Sequence, residues 1–498
     1  MLQVGTDRTQ LVWPAYPGEV HLAVGFDLDM TLVDSSDGIV ATVQAALADV
    51  GVAVTAADVW PSMGLPLELI LAPHLPPEQV AAATARYREL YPILGVPGTR
   101  LLPGALEAVG AVRALNGTVV VVSAKRESAV HLVLDHVGLQ VDVVAGDLFA
   151  ADKAIALRRH GVSVYVGDHS ADMAGALAAG AAGVGVTTGP VSADALRLAG
   201  AELVVDSLVE LAPWLEQRVL DARLDALQAQ LREAGSLLVA FSGGADSALL
   251  LAAAVRALGA DHVVAATAVS GSLATGELAG AKAFAASLGV RHLTPRTDEM
   301  ARDGYRANAG DRCFFCKAEL LDVLSPLADS LGLAAVATGT NADDAVAGFR
   351  PGIKAAAERG ALTPLRDAGL TKAQVRAASA AWGLPTWDKP AAACLSSRIA
   401  YGVQITDTAL RRVDRAERAS RRVLHEAGVD VRDLRVRDLG GDQARLELDP
   451  AALATARALE PALVSAICAV GFSEVALDPR GFRSGAMNEL LVTPEHYR

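Results

Sequence analysis

Short apolar runs recur along this chain, and each closes on small or charged residues before a segment of helical periodicity. Val24-Gly25-Phe26 runs into Asp27-Leu28-Asp29-Met30-Thr31. Val119-Val120-Val121-Val122 stops at Ser123, and Val162-Ser163-Val164-Tyr165-Val166 leads into Gly167-Asp168-His169-Ser170-Ala171-Asp172. In the second half, Leu237-Leu238-Val239-Ala240-Phe241 opens onto Ser242-Gly243-Gly244-Ala245-Asp246-Ser247. The runs 263–267 and 335–338 follow, the latter ending in Gly339-Thr340-Asn341-Ala342-Asp343-Asp344. Strands alternating with helices predict parallel sheets joined by crossover helices. Ligands then belong at the carboxyl ends of the strands, where the polar residues cluster. Residues 35–98 read as helices inserted after the first strand. Residues 207–233 read as an amphipathic helix, with Leu208, Leu211, Trp214, Leu215, Val219 and Leu220 near three-to-four spacing. That helix puts a domain boundary near residue 216.

A length of 498 residues allows two to four domains. The chain is 52% hydrophobic and 20% charged, yet no run of about twenty uncharged apolar residues occurs, so no membrane span is expected. The first residues lack the basic-then-apolar build of a signal peptide, which predicts a cytoplasmic protein. A net charge of −13 argues against a large nucleic-acid footprint. Four cysteines do not make a disulfide framework here. Cys313 and Cys316 form Cys-x-x-Cys, Cys394 follows later, and Cys468 is expected in the core beside Leu463 and Ile467.

Asp27 and Asp29 stand two apart on a predicted strand and so face one side. Two close carboxylates repel unless a cation lies between them. Asp27 with Asp29, then Ser123, then Lys153 opening a helical segment, then Asp168 with Asp172, resemble in this order the haloacid dehalogenase superfamily of phosphohydrolases, over residues 21–215. The resemblance implies that Asp27 is the nucleophile and forms an aspartyl-phosphate. It implies that Asp29 is the general acid and base and that Ser123 and Lys153 hold phosphoryl oxygens. Mg²⁺ is expected at Asp27, Asp29, Asp168 and Asp172, the last in a supporting role, with residues 35–98 as a helical cap. A domain kept only for packing is the competing reading.

A strand that opens through two glycines onto a helix N-terminus aims amides and a helix dipole at phosphate. The spacing is not that of a Walker loop. It resembles the PP-loop of ATP pyrophosphatases, which hold the β,γ-pyrophosphate of ATP and transfer AMP to a substrate. Phe349-Arg350-Pro351-Gly352 stands further on, and the blocks read with the loop are Asp311-Arg312-Cys313-Phe314-Phe315-Cys316-Lys317, Gly339 to Asp344 and Ala393-Cys394-Leu395-Ser396-Ser397-Arg398-Ile399. Arg435-Val436-Arg437, Ala444-Arg445-Leu446-Glu447 and Gly481-Phe482-Arg483-Ser484-Gly485-Ala486-Met487-Asn488-Glu489 complete them. Together they resemble the LarE family of ATP-dependent sacrificial sulfur transferases, over about residues 225–492.

This second resemblance implies ATP contacts at Ser242, Gly243, Gly244, Asp246, Ser247, Gly339, Thr340, Asn341 and Asp343. It implies substrate contacts at Arg398, Arg435 and Arg437. The expected organisation is α/β: a Rossmann-like phosphatase domain (1–215), a linker helix (216–235), a Rossmann-like PP-loop domain (236–400) and a small α+β substrate and sulfur-transfer subdomain (401–498). The family converts a carboxylate of a pyridinium mononucleotide to a thiocarboxylate, toward a nickel-pincer cofactor, and suggests a homo-oligomer. Arg435 and Arg437, at i, i+2 on a predicted strand, suit a phosphate or carboxylate, although a solvated strand face has the same pattern.

Cys394 matches the family's sacrificial cysteine. Cys313 and Cys316 added to it resemble the variant that binds a [4Fe-4S] cluster, whose open iron can carry an extra sulfide. A zinc half-site and a redox dithiol use the same spacing. The competing functions are tRNA thiolation, amide formation as in asparagine or NAD synthetases, and a non-catalytic nucleotide-binding scaffold.

Overall fold

The structure is a computed structural model that describes residues 22–346, 351–390 and 394–483, in two compact units divided between Asp221 and Ala222. The blocks at Phe349-Arg350, at 391–393 and from Ser484 onward lie outside the described residues.

The first unit is built on a six-stranded sheet. Its order is Val143–Ala145, Thr118–Val122, Ala23–Phe26, Val164–Gly167, Ala182–Val186, Leu203–Val205, and neighbouring strands run parallel. The central strands are buried on both faces, which is why they read as unbroken apolar runs rather than alternating ones. The chain winds one way from Ala23–Phe26 and then the other, so the strand order reverses between Ala23–Phe26 and Val164–Gly167. A crevice opens at such a reversal, and Asp27 and Asp168 follow directly on those two strands. The insertion after the first strand is helical, with Ser36–Ala48 and Pro77–Leu94 as its longest members. A two-stranded antiparallel pair, Val33–Asp34 with Arg100–Leu101, stands at its base.

The second unit holds a four-stranded parallel sheet in the order Arg291–Leu293, Val263–Ala266, Leu237–Ala240, Ala335–Thr338. The order again reverses beside the strand that feeds the glycine loop. A three-stranded sheet follows, in which Leu434–Gly440 runs antiparallel to Gln443–Leu448, and Glu474–Leu477 parallel to it. Helix Asp407–Glu426 shares that sheet's core through Leu410, Val413 and Leu424. The same core includes Tyr305, Leu395 and Ile399, so the last sheet and the preceding segments share apolar packing. Helix Leu211–Ala234 contributes Leu211, Leu215 and Val219 to the first unit's core, and the division between units falls inside it.

Cys468 departs from expectation. It is half-buried at the end of helix Glu460–Cys468, where Leu463 and Ile467, four apart on one face, take the core positions. Among the described residues no single helix is long and apolar enough to cross a membrane.

Candidate active sites

In the first unit, Asp27 is fixed by its own N–H, which donates to the Val166 carbonyl at 2.8 Å. Asp172 lies in the first turn of helix Ser170–Ala179 and accepts the His169 N–H at 3.1 Å. Ligand oxygens of Asp27, Asp168 and Asp172 all lie within 4.8 Å of one another, and all three side chains are buried. Lys153, from the first turn of helix Ala151–Arg159, reaches 2.6 Å from Asp172 Oδ1 and 3.1 Å from Asp27 Oδ1. One ammonium does not balance three carboxylates. Burial pushes the Asp27 carboxyl up to about 7, with Lys153 pulling it down and Asp172 and Asp29 adding to the rise. Burial and the neighbouring Asp172 likewise hold Asp168 well above the usual carboxylate range.

Thr31 Oγ1 donates to Asp168 Oδ1 at 3.1 Å, while Asp168 Oδ2 is buried with no hydrogen-bond partner. A Cβ on residue 189 would stand 1.8 Å from that oxygen, so glycine is what leaves it room. A buried acidic triad with an orphaned oxygen is the donor set that a hard divalent cation such as Mg²⁺ takes.

Asp29, expected among the magnesium ligands, does not join the triad. Its carboxylate accepts from Ser35 Oγ at 2.6 Å and stands 3.1 Å from Lys125 Nζ. The strand ends at Phe26, and a tight turn with Met30 at φ 58° follows, so strand alternation no longer sets the direction of residue 29. Ser123 ends strand Thr118–Val122 and joins Asp27 and Asp29 in lining a cavity of about 300 Å³. Lys125, which the motifs did not single out, stands just two residues beyond Ser123.

In the second unit, Gly243 takes φ 74° and Gly244 caps helix Ala245–Leu258. The Ser242 N–H donates to Ser247 Oγ at 3.3 Å, and the Gly244 N–H to Ser242 Oγ at 3.3 Å. Asp246 accepts from Lys372 Nζ at 2.5 Å and Asn341 Nδ2 at 3.0 Å. A Cβ at Gly339 would come within 2.7 Å of the Ser247 nitrogen, so the end of strand Ala335–Thr338 packs directly on this loop. A cavity of about 610 Å³ lies here. Ser242, Asp246, Ser247, Gly339 and Thr340 line it, and so do Cys316, Cys394, Arg398 and Arg435.

Two expected contacts fall elsewhere. Asp343 is exposed and accepts the Lys372 N–H at 2.8 Å, while its neighbour Asp344 lines the cavity, because successive helical residues point about 100° apart. Arg437 is buried against Glu447 at 2.8 Å and donates to the Ser397 carbonyl at 3.1 Å, so it is committed within the protein. Arg435 instead faces the cavity. Burial, with Arg398 nearby, pushes its guanidinium down to about 10. Arg398 donates to Glu417 at 2.9 Å and to the Cys394 carbonyl at 3.0 Å. Lys389 was missed by role, although its motif was visible; its Nζ donates to the Gly243 carbonyl at 3.0 Å and pairs with Glu277 at 2.8 Å.

Cys313 and Cys316 sit in the first turns of helix Arg312–Ser330, and Cys394 precedes the turn Leu395–Arg398. Cys394 Sγ is 2.9 Å from Ser396 Oγ. Burial pushes the Cys316 thiol up, and Cys394, Glu299 and Cys313 add to the rise. The three thiols thus share one electrostatic neighbourhood.

The family model described as haloacid dehalogenase-like hydrolase matches residues 24–186. A Synechocystis sp. protein named Uncharacterized protein slr1717 is 42% identical over 276 residues, 55% of this chain and 100% of that protein. The pyridinium-3,5-bisthiocarboxylic acid mononucleotide synthase of Lactiplantibacillus plantarum is 34% identical over 266 residues, 53% of this chain and 94% of its own. Probable phosphatase IndB of Dickeya dadantii is 31% identical over 205 residues, 37% of this chain and 89% of its own.

Proposed function

This chain belongs to the haloacid dehalogenase-like hydrolases through its first unit and to the LarE family through its second, and we propose that it joins a phosphatase to an ATP-dependent sulfur transferase. The observation that carries the second activity is the shared cavity: the glycine loop, Cys316, Cys394, Arg398 and Arg435 all open onto one space. A carboxylate is a poor electrophile, so it needs activation. Its oxygen attacks the α-phosphorus of ATP, the bond to the β-phosphate oxygen breaks, and pyrophosphate leaves. The loop amides and the adjacent lysines neutralise that leaving charge. Sulfur then attacks the acyl carbon and AMP departs: a sulfide leaves the thiocarboxylate directly, whereas the Cys394 thiolate leaves a thioester, whose Cβ–S bond breaks as the Cα proton is lost to give thiocarboxylate and dehydroalanine.

The acceptor we propose is a pyridinium dicarboxylate mononucleotide, the class named by the Lactiplantibacillus relative. Arg398 and Arg435 supply the cationic wall for its phosphate or carboxylates. The sulfur comes from Cys394, which would become dehydroalanine, or from a sulfide. A [4Fe-4S] cluster on Cys313, Cys316 and Cys394 would supply the open iron site that carries such a sulfide. In the first unit, Asp27, Asp168 and Asp172 would hold Mg²⁺ for hydrolysis of a small phosphate ester.

Incubation with ATP and the dicarboxylate mononucleotide tests this. Acceptor-dependent pyrophosphate release and a product with oxygen exchanged for sulfur are expected. Pyrophosphate release that responds to tRNA or to ammonia, and not to the pyridinium acid, would replace the proposal with tRNA thiolation or amide formation.

A further inference from the structure

The cavity beside Asp27 has walls unlike its floor. The floor is polar: Asp27, Asp29 and Ser123. The walls are largely apolar and aromatic, with Leu65 and Ile70 on one part of the insertion, Tyr87 and Tyr91 on helix Pro77–Leu94, Leu132 on helix Glu127–Val137 and Phe149, while Glu68, Arg88 and Asp147 add charge at their edge. Tyr87 and Tyr91 lie one helical turn apart and stack, ring centroids 5.5 Å apart and 22° between planes. They present adjoining rings to the same space. Arg126 also lines the cavity and has no ion-pair partner among the described residues. At about 300 Å³ the space is at the lower end of what takes a single ligand molecule. A two- or three-carbon phosphate ester would leave most of the walls untouched.

We infer that this cavity takes a mononucleotide, with its 5′-phosphate on Asp27 and Ser123 and its flat ring against the wall formed by Leu65, Ile70, Tyr87 and Leu132. The inference rests on reading the first unit as a phosphatase and specifies its substrate class. Asp27 attacks phosphorus, the bond to the 5′-oxygen breaks, and Asp29 gives that oxygen its proton. Water then attacks the aspartyl-phosphate, Asp29 takes the water's proton, and phosphate leaves with Asp27 restored. The sum is ester plus water to nucleoside plus phosphate. Arg126 suits an anionic substituent on the ring. Two sources meet this chemistry: the AMP released when sulfur displaces it, and a pyridinium mononucleotide.

The test uses the full chain with Mg²⁺ and follows phosphate release from AMP, nicotinic acid mononucleotide, ribose 5-phosphate, phosphoglycolate and p-nitrophenyl phosphate. Both or either mononucleotide should exceed ribose 5-phosphate and phosphoglycolate about 100-fold in kcat/KM, the scale of burying one ring. A preference for AMP or for the pyridinium compound names the source. Leu132→Trp, which fills the wall from a partly exposed helix position, should raise KM for the favoured mononucleotide at least tenfold more than for ribose 5-phosphate. Turnover of p-nitrophenyl phosphate with ribose 5-phosphate or phosphoglycolate as good as the mononucleotides overturns the inference alone. Turnover of no ester at all overturns the phosphatase reading, and the inference with it.

Discussion

Lys125 sets its ammonium 3.1 Å from Asp29 Oδ2, with both side chains about 10% exposed. The same ammonium stands 4.3 Å over the ring of Tyr91, so one cation touches both Asp29 and the helical insertion. Ser35 holds the other oxygen of Asp29. Lys125→Met should therefore lower the phosphatase kcat by about 10²-fold, as expected for a misdirected general acid. It should also destabilise the first unit by about 3 kcal/mol, because a buried carboxylate loses its partner. Lys125→Arg should recover part of both. An unchanged kcat in Lys125→Met would show that Ser35 alone orients Asp29.

The pH dependence of stability follows from Asp27. Its carboxyl is raised to about 7 from an ordinary 3.8, so between these values the folded chain binds more protons than the unfolded one. Stability without Mg²⁺ should then fall as pH rises from about 4 to about 7, and level off above. Asp168 moves in the same direction. A divalent cation favours the ionised triad, so Mg²⁺ should raise the Tm of the first unit by about 5 °C more at pH 7.5 than at pH 5. Asp27→Asn should flatten the Mg²⁺-free slope while leaving pyrophosphate release intact. Calorimetry at the two pH values, with Mg²⁺ or with chelator, checks the sign.

Asp246 ties the glycine loop to Lys372 and Asn341, on two other segments of the second unit. Asp246→Ala should release both and reduce acceptor-dependent pyrophosphate formation by about 10²- to 10³-fold. Phosphate release by the first unit should stay unchanged. A parallel fall in both activities would point to general misfolding instead.

The strand-to-polar transitions made both sheets legible in the sequence, because strands buried on both faces are unbroken apolar runs and their ends carry the chemistry. What failed were inferences of direction. Residue 29 was assigned by strand alternation, but the strand had already ended and the turn at Met30 sends its carboxylate to Lys125. Asp343 and Asp344 are equivalent as letters, and only the helix phase beginning at Ala342 separates them. Arg435 and Arg437 share a strand face, yet Glu447, ten residues beyond Arg437, holds Arg437 within the protein, while Arg435 lines the cavity. Lys125 was invisible because its partners, Asp29 and Tyr91, are 96 and 34 residues away in sequence, and nothing local marks it.

That Arg435–Arg437 contrast is itself testable. Arg437→Ala leaves Glu447, a fully buried carboxylate, with Arg445 at 2.9 Å as its remaining ion-pair partner among the described residues, and should cost the second unit about 3 kcal/mol in urea unfolding. Arg435→Ala, which gives up the Asp433 pair at 3.8 Å and the Phe482 ring, should cost less in urea unfolding than Arg437→Ala and raise KM for the mononucleotide about tenfold or more. The reverse pattern would move the substrate contact to Arg437.

The cysteines separate the two sulfur sources. Cys394 and Cys316 line the cavity, and Cys313 sits one turn before Cys316 on the same helix. Activation by ATP needs none of these thiols, so Cys394→Ala should keep acceptor-dependent adenylation and lose the thiocarboxylate. If a cluster carries the sulfide, protein prepared without oxygen should hold about four iron and four labile sulfide per chain. Cys313→Ala and Cys316→Ala should then lose that iron, and the wild type should make more than one thiocarboxylate per chain. If Cys394 itself is consumed, turnover should stop at one sulfur per chain. The chain should then lose the mass of H₂S at Cys394, and Cys313→Ala should be as active as wild type. We expect the cluster outcome, because the sacrificial route consumes Cys394 alone and leaves Cys313 and Cys316, which share its electrostatic neighbourhood, without a role. Iron-free wild type that transfers one sulfur and stops would decide for the consumed cysteine.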